Sequence, residues 1–83
     1  MRKYQEEIYS AIINKGDWAG SNVVVTTKDN VTNVYFYGSL IGVVDHNKKT
    51  VKYDNCGYNN ACTTARINAV KMAAENYYGY GEE

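Results

Sequence analysis

"NVVVTTKDNVTNVYFYGSLIGVVDHNKKTVKYDN", from Asn22 to Asn55, is the stretch that decides the fold. It is rich in Val, Thr, Tyr, Phe and Ile, the side chains that suit a pleated, half-buried surface. Turn residues divide it at "KDN" (Lys28 to Asn30), at Gly38 and Ser39, and at "DHNKK" (Asp45 to Lys49). These divisions predict four antiparallel strands: Val23 to Thr27, Thr32 to Tyr37, Leu40 to Asp45, and Thr50 to Asp54. Gly38 also fits a bulge, in which case the second and third strands are one long bent strand. Alternation puts Val34 and Phe36 on one face and Asn33, Tyr35 and Tyr37 on the other.

One face of such a meander must be covered, and the flanking segments supply the cover. On the N-terminal side, Tyr4, Ile8, Ala11 and Ile12 fall at i, i+4, i+7 and i+8, which predicts a helix over Arg2 to Asn14. "NKG" ends it, with Gly16 suited to a left-handed stop. The loop "GDWAGSN" follows and carries the single Trp, Trp18. On the C-terminal side, Thr63, Ile67, Val70, Ala74 and Tyr77 form a stripe that predicts a helix from Ala61 to Tyr78. Ala61, Ala65, Ala69 and Ala73 add a row of small side chains that lets this helix lie close to its neighbour. Gly79 stops it, leaving "YGYGEE" as a polar tail. The reading is a single α+β domain over residues 1–83, with an N-terminal helix, a four-stranded antiparallel meander and a C-terminal helix packed on the sheet.

Length and charge bound the function. With 83 residues the chain makes one small core, for which oligomerisation is a common supplement. Nine Lys and Arg balance nine Asp and Glu, whereas nucleic-acid binders carry a basic excess. No run reaches the ~18 apolar residues of a membrane span. Acidic residues stand at Glu6 and Glu7, where a secretion signal has its apolar segment, so a cytosolic protein with reduced thiols is expected. The aromatic content is lopsided: nine Tyr against one Phe and one Trp. Tyr combines apolar area with a polar tip and is enriched at contact surfaces.

The stretch "YDNCGYNNACTTARINAV", Tyr53 to Val70, holds both cysteines and is where chemistry would be sought. Cys56, Cys62 and His46 are too few and too irregularly spaced for a structural zinc site. Cys62 in a first helical turn is the best candidate nucleophile. His46, however, sits in a polar turn, where a solvated surface histidine is expected, and no third member of a triad is visible. Glu6 and Glu7 point in different directions, and Asp45 and Asp54 read as turn residues. The stretch therefore reads as a helix entrance, with Asn59 or Asn60 capping the first free N–H groups and Arg66 long enough to reach the sheet edge or another chain. No catalytic residue, metal or cofactor is expected, and the protein is read as a non-enzyme.

"YFYGSLIGVVD" (Tyr35 to Asp45) and the segment from Thr50 to Val70 together resemble a pattern in small proteins encoded by phages and prophages. The matching positions are Tyr37, Ser39, Leu40, Ile41, Tyr58, Thr63, Thr64, Ile67 and Asn68. Ala65 and Arg66 stand before Ile67, where that pattern frequently has His. The resemblance itself implies no particular activity; a small, Tyr-rich, phage-like domain without catalytic residues is expected, by association with that class, to act by binding in the bacterial host cytoplasm and to block a host defence complex such as a CRISPR effector, as anti-CRISPR proteins do. The surface expected to bind combines Trp18, Tyr35, Tyr37, Arg66, Tyr77, Tyr78 and Tyr80, and a homodimer is expected as well. The alternative is a nucleic-acid-binding phage accessory protein that stacks bases on Tyr and meets phosphates with Lys48, Lys49, Lys52 and Arg66.

Overall fold

A computed structural model describes residues 3–57 and 60–83. Helix α1 (Lys3–Ile13) leads into strands β1 (Trp18–Gly20), β2 (Val23–Lys28), β3 (Val31–Phe36), β4 (Ser39–Asp45) and β5 (Thr50–Tyr53). Helix α2 (Ala61–Lys71) follows, continues as a π-helical segment over Met72–Tyr77, and gives way to strand β6 (Gly81–Glu82). The α+β order and the two flanking helices are as read from the sequence. The strand count is not: among the described residues the sheet has six strands in the order β1-β2-β3-β4-β5-β6, not four. β1 to β5 form an antiparallel meander, and β6 pairs with β5 in parallel.

The hairpins follow from their turn residues. Ser21–Asn22, Asp29–Asn30 and Tyr37–Gly38 each place two successive residues at positive φ, the backbone of a type I′ turn, whose twist matches that of the strands it joins. Gly38 thus turns the chain, and the long bent strand does not form. The bulge falls instead at Ile41, between the pairs Val34↔Gly42 and Tyr35↔Leu40. Tyr37 leaves β3 and lies in the turn, so it does not share the face of Asn33 and Tyr35.

Both helices cover the same face of the sheet. Val23, Val25, Thr32, Val34, Phe36, Ile41, Val44 and Val51 meet Ile8, Ala11 and Ile12 of α1 and Ala69, Val70, Ala73 and Ala74 of the C-terminal helix. At ~25 cal/mol per Å² of apolar area removed from water, this one contiguous cluster is the main source of stability. Gly42 is where α2 comes closest: a Cβ there would lie 3.2 Å from both Val70 methyl groups. Gln5 Nε2 donates to the Ala65 carbonyl at 2.8 Å and ties the helices together.

The helix ends depart from expectation in detail. Lys15, at φ 52, is the left-handed stop of α1, and Gly16 N–H donates to the Ala11 carbonyl across it. Asn60 caps α2 by accepting from the Thr63 N–H at 3.0 Å, while Asn59 lies outside the described residues. The i→i+5 pitch of the π segment rotates the last turn. The expected stripe therefore breaks: Ile67 is only half-buried, Tyr77 is 57 % exposed, and Tyr78 turns inward to donate its hydroxyl to the Ile13 carbonyl. Among the described residues, no helix is long and apolar enough to cross a membrane.

Candidate protein-binding surface

Among the described residues, no layer covers the face of the sheet turned away from the helices. Its apolar residues are not scattered. Ala19 of β1, Val24 of β2, Tyr35 of β3 and Leu40 of β4 are successive cross-strand partners, so they form one rung across four strands. Val24 is 43 % and Leu40 40 % exposed. The next rung is more polar (Thr26, Asn33, Val43, Lys52), and the one beyond it carries Lys28, Val31, Asp45 and Thr50. Apolar character is thus concentrated at the end of the sheet that bears the Ser21–Asn22 and Tyr37–Gly38 turns.

Tyr37 closes this end. It is 65 % exposed, its φ is 51, its ring lies 4.7 Å from that of Phe36, and its hydroxyl accepts from Asn22 Nδ2 at 3.0 Å. Asn, Asp or Gly normally fills such a turn position, because a side chain with a Cβ is crowded in the left-handed region. Displaying Tyr there carries a conformational cost.

On the helix side of the same end, the Arg66 guanidinium lies between the rings of Tyr4 and Phe36, at 4.2 and 4.3 Å from their centroids. Expected to reach the sheet edge or another chain, Arg66 is in fact buried; its Nη1 donates to the Cys62 carbonyl, and its Nε has no hydrogen-bond partner among the described residues. The two ring contacts offset part of the cost of that burial. Beyond Tyr4, a cleft of about 380 Å³ opens between α1 and β1, lined by Lys3, Tyr4, Glu7, Trp18 and Ser21. Trp18 folds back onto Gly20, where a Cβ would sit 2.9 Å from the indole.

Trp18, Tyr35, Tyr37 and Arg66 therefore gather at one end of the molecule. Tyr77, Tyr78 and Tyr80 do not join them. They form a second cluster in which Tyr9 meets Tyr77 edge to face, Tyr77 meets Tyr78, and Tyr78 stacks on Tyr80 at 4.9 Å. His46 completes it. It is 5 % exposed rather than solvated, and burial, with Lys15 adding to it, holds its pKa below the usual histidine value. Tyr53 marks the edge of the sheet beside this cluster. Burial, with Glu82 and Glu75 adding to it, pushes its phenol up to about 12.

Val24, Leu40 and Tyr4 were missed as surface candidates. Leu40 and Val24 were within reach of the alternation rule, since each lies across from Tyr35, but "VVV" has no readable parity by itself. Cys56 and Cys62 are free and exposed, and among the described residues no three His, Cys, Asp or Glu side chains come together as metal ligands. Tyr58, part of the phage-like pattern, lies outside the described residues.

No curated protein and no solved structure matches the chain. The family model described as Kyanoviridae Gp96 protein matches residues 1–81, nearly the whole length. The chain belongs to this phage protein family, the Kyanoviridae Gp96 proteins.

Proposed function

We propose that the protein is a non-enzymatic binding module that a phage uses against a bacterial protein, with a defence complex of the CRISPR-effector kind as the target. The observation that carries the reading is the uncovered rung Ala19–Val24–Tyr35–Leu40, ending at a Tyr37 held in a costly left-handed turn. Exposed apolar side chains carry weight when they are contiguous. A rigid aromatic at the rim supplies contact area with little entropy left to lose. Membership of a phage family supports a target in the infected cell.

The basic residues give the nucleic-acid reading less support. Arg66 is buried beneath α1, Lys52 stands on the open face, and Lys48 and Lys49 lie in the turn after β4. Arg66, buried on the helix side, does not share a face with Lys52.

The test uses the tagged protein on a lysate of phage-sensitive bacteria, beside a Val24→Glu, Leu40→Glu variant. Both changes fall on exposed positions, so the variant should melt like the parent. The parent is expected to retain a discrete host protein that the variant loses. Retention of the same protein by both would refute this surface. The other occupant of the face is a second copy of the chain. A doubled mass in light scattering coupled to size exclusion, lost in the same variant, would assign the surface to a homodimer instead.

A further inference from the structure

The C-terminal tail is fastened by a chain of hydrogen bonds whose direction is forced. The Gly16 carbonyl can only accept, and Thr27 Oγ1 donates to it at 3.1 Å. That uses the single hydroxyl proton of Thr27, so Thr27 accepts from Thr32 Oγ1, 2.8 Å away. The Thr32 proton is then used as well. At 2.9 Å, Thr32 Oγ1 must accept from His46 Nε2–H. A neutral imidazole has one N–H, so Nδ1 is bare and accepts from the Tyr80 hydroxyl at 3.0 Å. The order runs from Tyr80 through His46, Thr32 and Thr27 to Gly16, and it fixes the histidine as the Nε2–H tautomer.

Tyr80 is the link between this relay and the tail. Tyr80 N–H donates to the Ala74 carbonyl, Gly81 N–H to the Lys49 carbonyl at 3.3 Å, and Glu83 N–H to the Val51 carbonyl at 2.8 Å. Strand β6 is only two residues long and exposed, and the side-chain contacts on it are polar: Thr50 Oγ1 donates to Glu83 Oε2 at 3.4 Å, and Glu82 lies against the Tyr53 phenol. The rings of Tyr78 and Tyr80 stand edge-on to the imidazole, at 5.2 and 5.6 Å, and cover it.

We propose that the segment from Tyr80 to Glu83 is an acid-released latch: neutral His46 holds it against β5, and a proton on His46 frees it. The added proton goes to Nδ1, the atom that accepts from Tyr80. Two donors then face each other, and the Tyr80 hydroxyl has to turn away. The imidazolium is also left in a dry site, with Lys15 opposing its charge and Asp45 favouring it. Swinging the tail away lets water reach the ring, so protons favour the open form. Opening bares the Lys49 and Val51 carbonyls on the β5 edge. Those acceptors suit an extended segment of a partner chain adding a strand where β6 lay.

Amide hydrogen exchange followed by NMR, corrected for intrinsic rates, tests this on the full chain. The opening constants of the Gly81 and Glu83 amides are expected to rise by up to about tenfold per pH unit below about pH 6.5. Those of the Val25, Val34 and Val44 amides, which open only with the whole domain, should stay far below the tail values over the same range. The His46→Gln variant should lose the dependence. Should that variant fold poorly, the imidazole nitrogen shifts of the parent still decide, since the relay requires a bare Nδ1 at neutral pH. An Nδ1–H tautomer, tail opening constants no larger than those of the core amides, or a rise that survives in His46→Gln would each overturn the latch. The last result would place the titration on Glu75, Glu82 or Glu83.

Discussion

Replacing Tyr37 with Asn separates binding from folding at one residue. Tyr37 occupies the first central position of a type I′ turn at φ 51, with Gly38 after it, so the change creates the preferred Asn-Gly pair. The left-handed backbone costs an ordinary L-residue about 1–2 kcal/mol, and Asn relieves much of this. Against that stand the ring contact with Phe36, worth about 0.5–1 kcal/mol, and the exposed hydrogen bond from Asn22, worth about 0.5 kcal/mol. The balance lies between about 0.5 kcal/mol against Asn and about 1 kcal/mol in its favour, a shift of a few degrees in melting temperature for a domain this small. Urea and thermal unfolding followed by circular dichroism measure it. The variant should match the parent in stability to within about 1 kcal/mol, yet retain less of the host protein. A loss of more than about 1 kcal/mol would show that the Tyr37 ring supports the fold, and the argument from costly display would fail.

Gly42→Ala should cost about 1–2 kcal/mol, because Val70 is fully buried and cannot easily retreat from the new methyl. Val70→Ala should cost about 2–3 kcal/mol, and the double variant clearly less than the sum, because one methyl then occupies the space the other left; additive values in urea unfolding would contradict the docking of α2 on β4. Global stability should also fall with acid. The folded-state pKa of His46 is lowered, so the unfolded chain takes up the proton first. Stability is therefore full above about pH 6.5, falls by at most about 1.4 kcal/mol per unit as pH drops through that value, and levels off below the folded pKa; a His46→Gln protein with the same slope would refute this origin. Chelator and reductant should leave the melting temperature unchanged, since a structural metal or disulfide would announce itself through a loss of about 2–5 kcal/mol.

The helix–meander–helix order was legible because each element is long enough to show its period. β1 and β6 were not, because strands of three and two residues contain no alternation to read. The burial of His46 was hidden for a different reason. Its turn is polar in sequence, and only the returning tail brings Tyr78 and Tyr80 over it. From the sequence, Arg66 reads only as a side chain long enough to reach the sheet edge or another chain. Its burial depends on Tyr4 and Phe36, which stand 62 and 30 residues earlier in the chain and sandwich it only once α1 lies beside α2. Tyr77 changed sides because the helix slips into π pitch at Met72, which a stripe drawn at 3.6 residues per turn does not anticipate.

The central claim is that the uncovered end of the sheet touches a bacterial protein. Site-specific photo-crosslinking tests it most directly, with benzoylphenylalanine placed in turn at Leu40, on the exposed rung, and at Asn68, on the exposed side of α2. In phage-infected cells, the probe at Leu40 is expected to give one discrete adduct with a host protein, and the probe at Asn68 none. The same adduct from both positions, or adducts from Asn68 alone, would contradict the account.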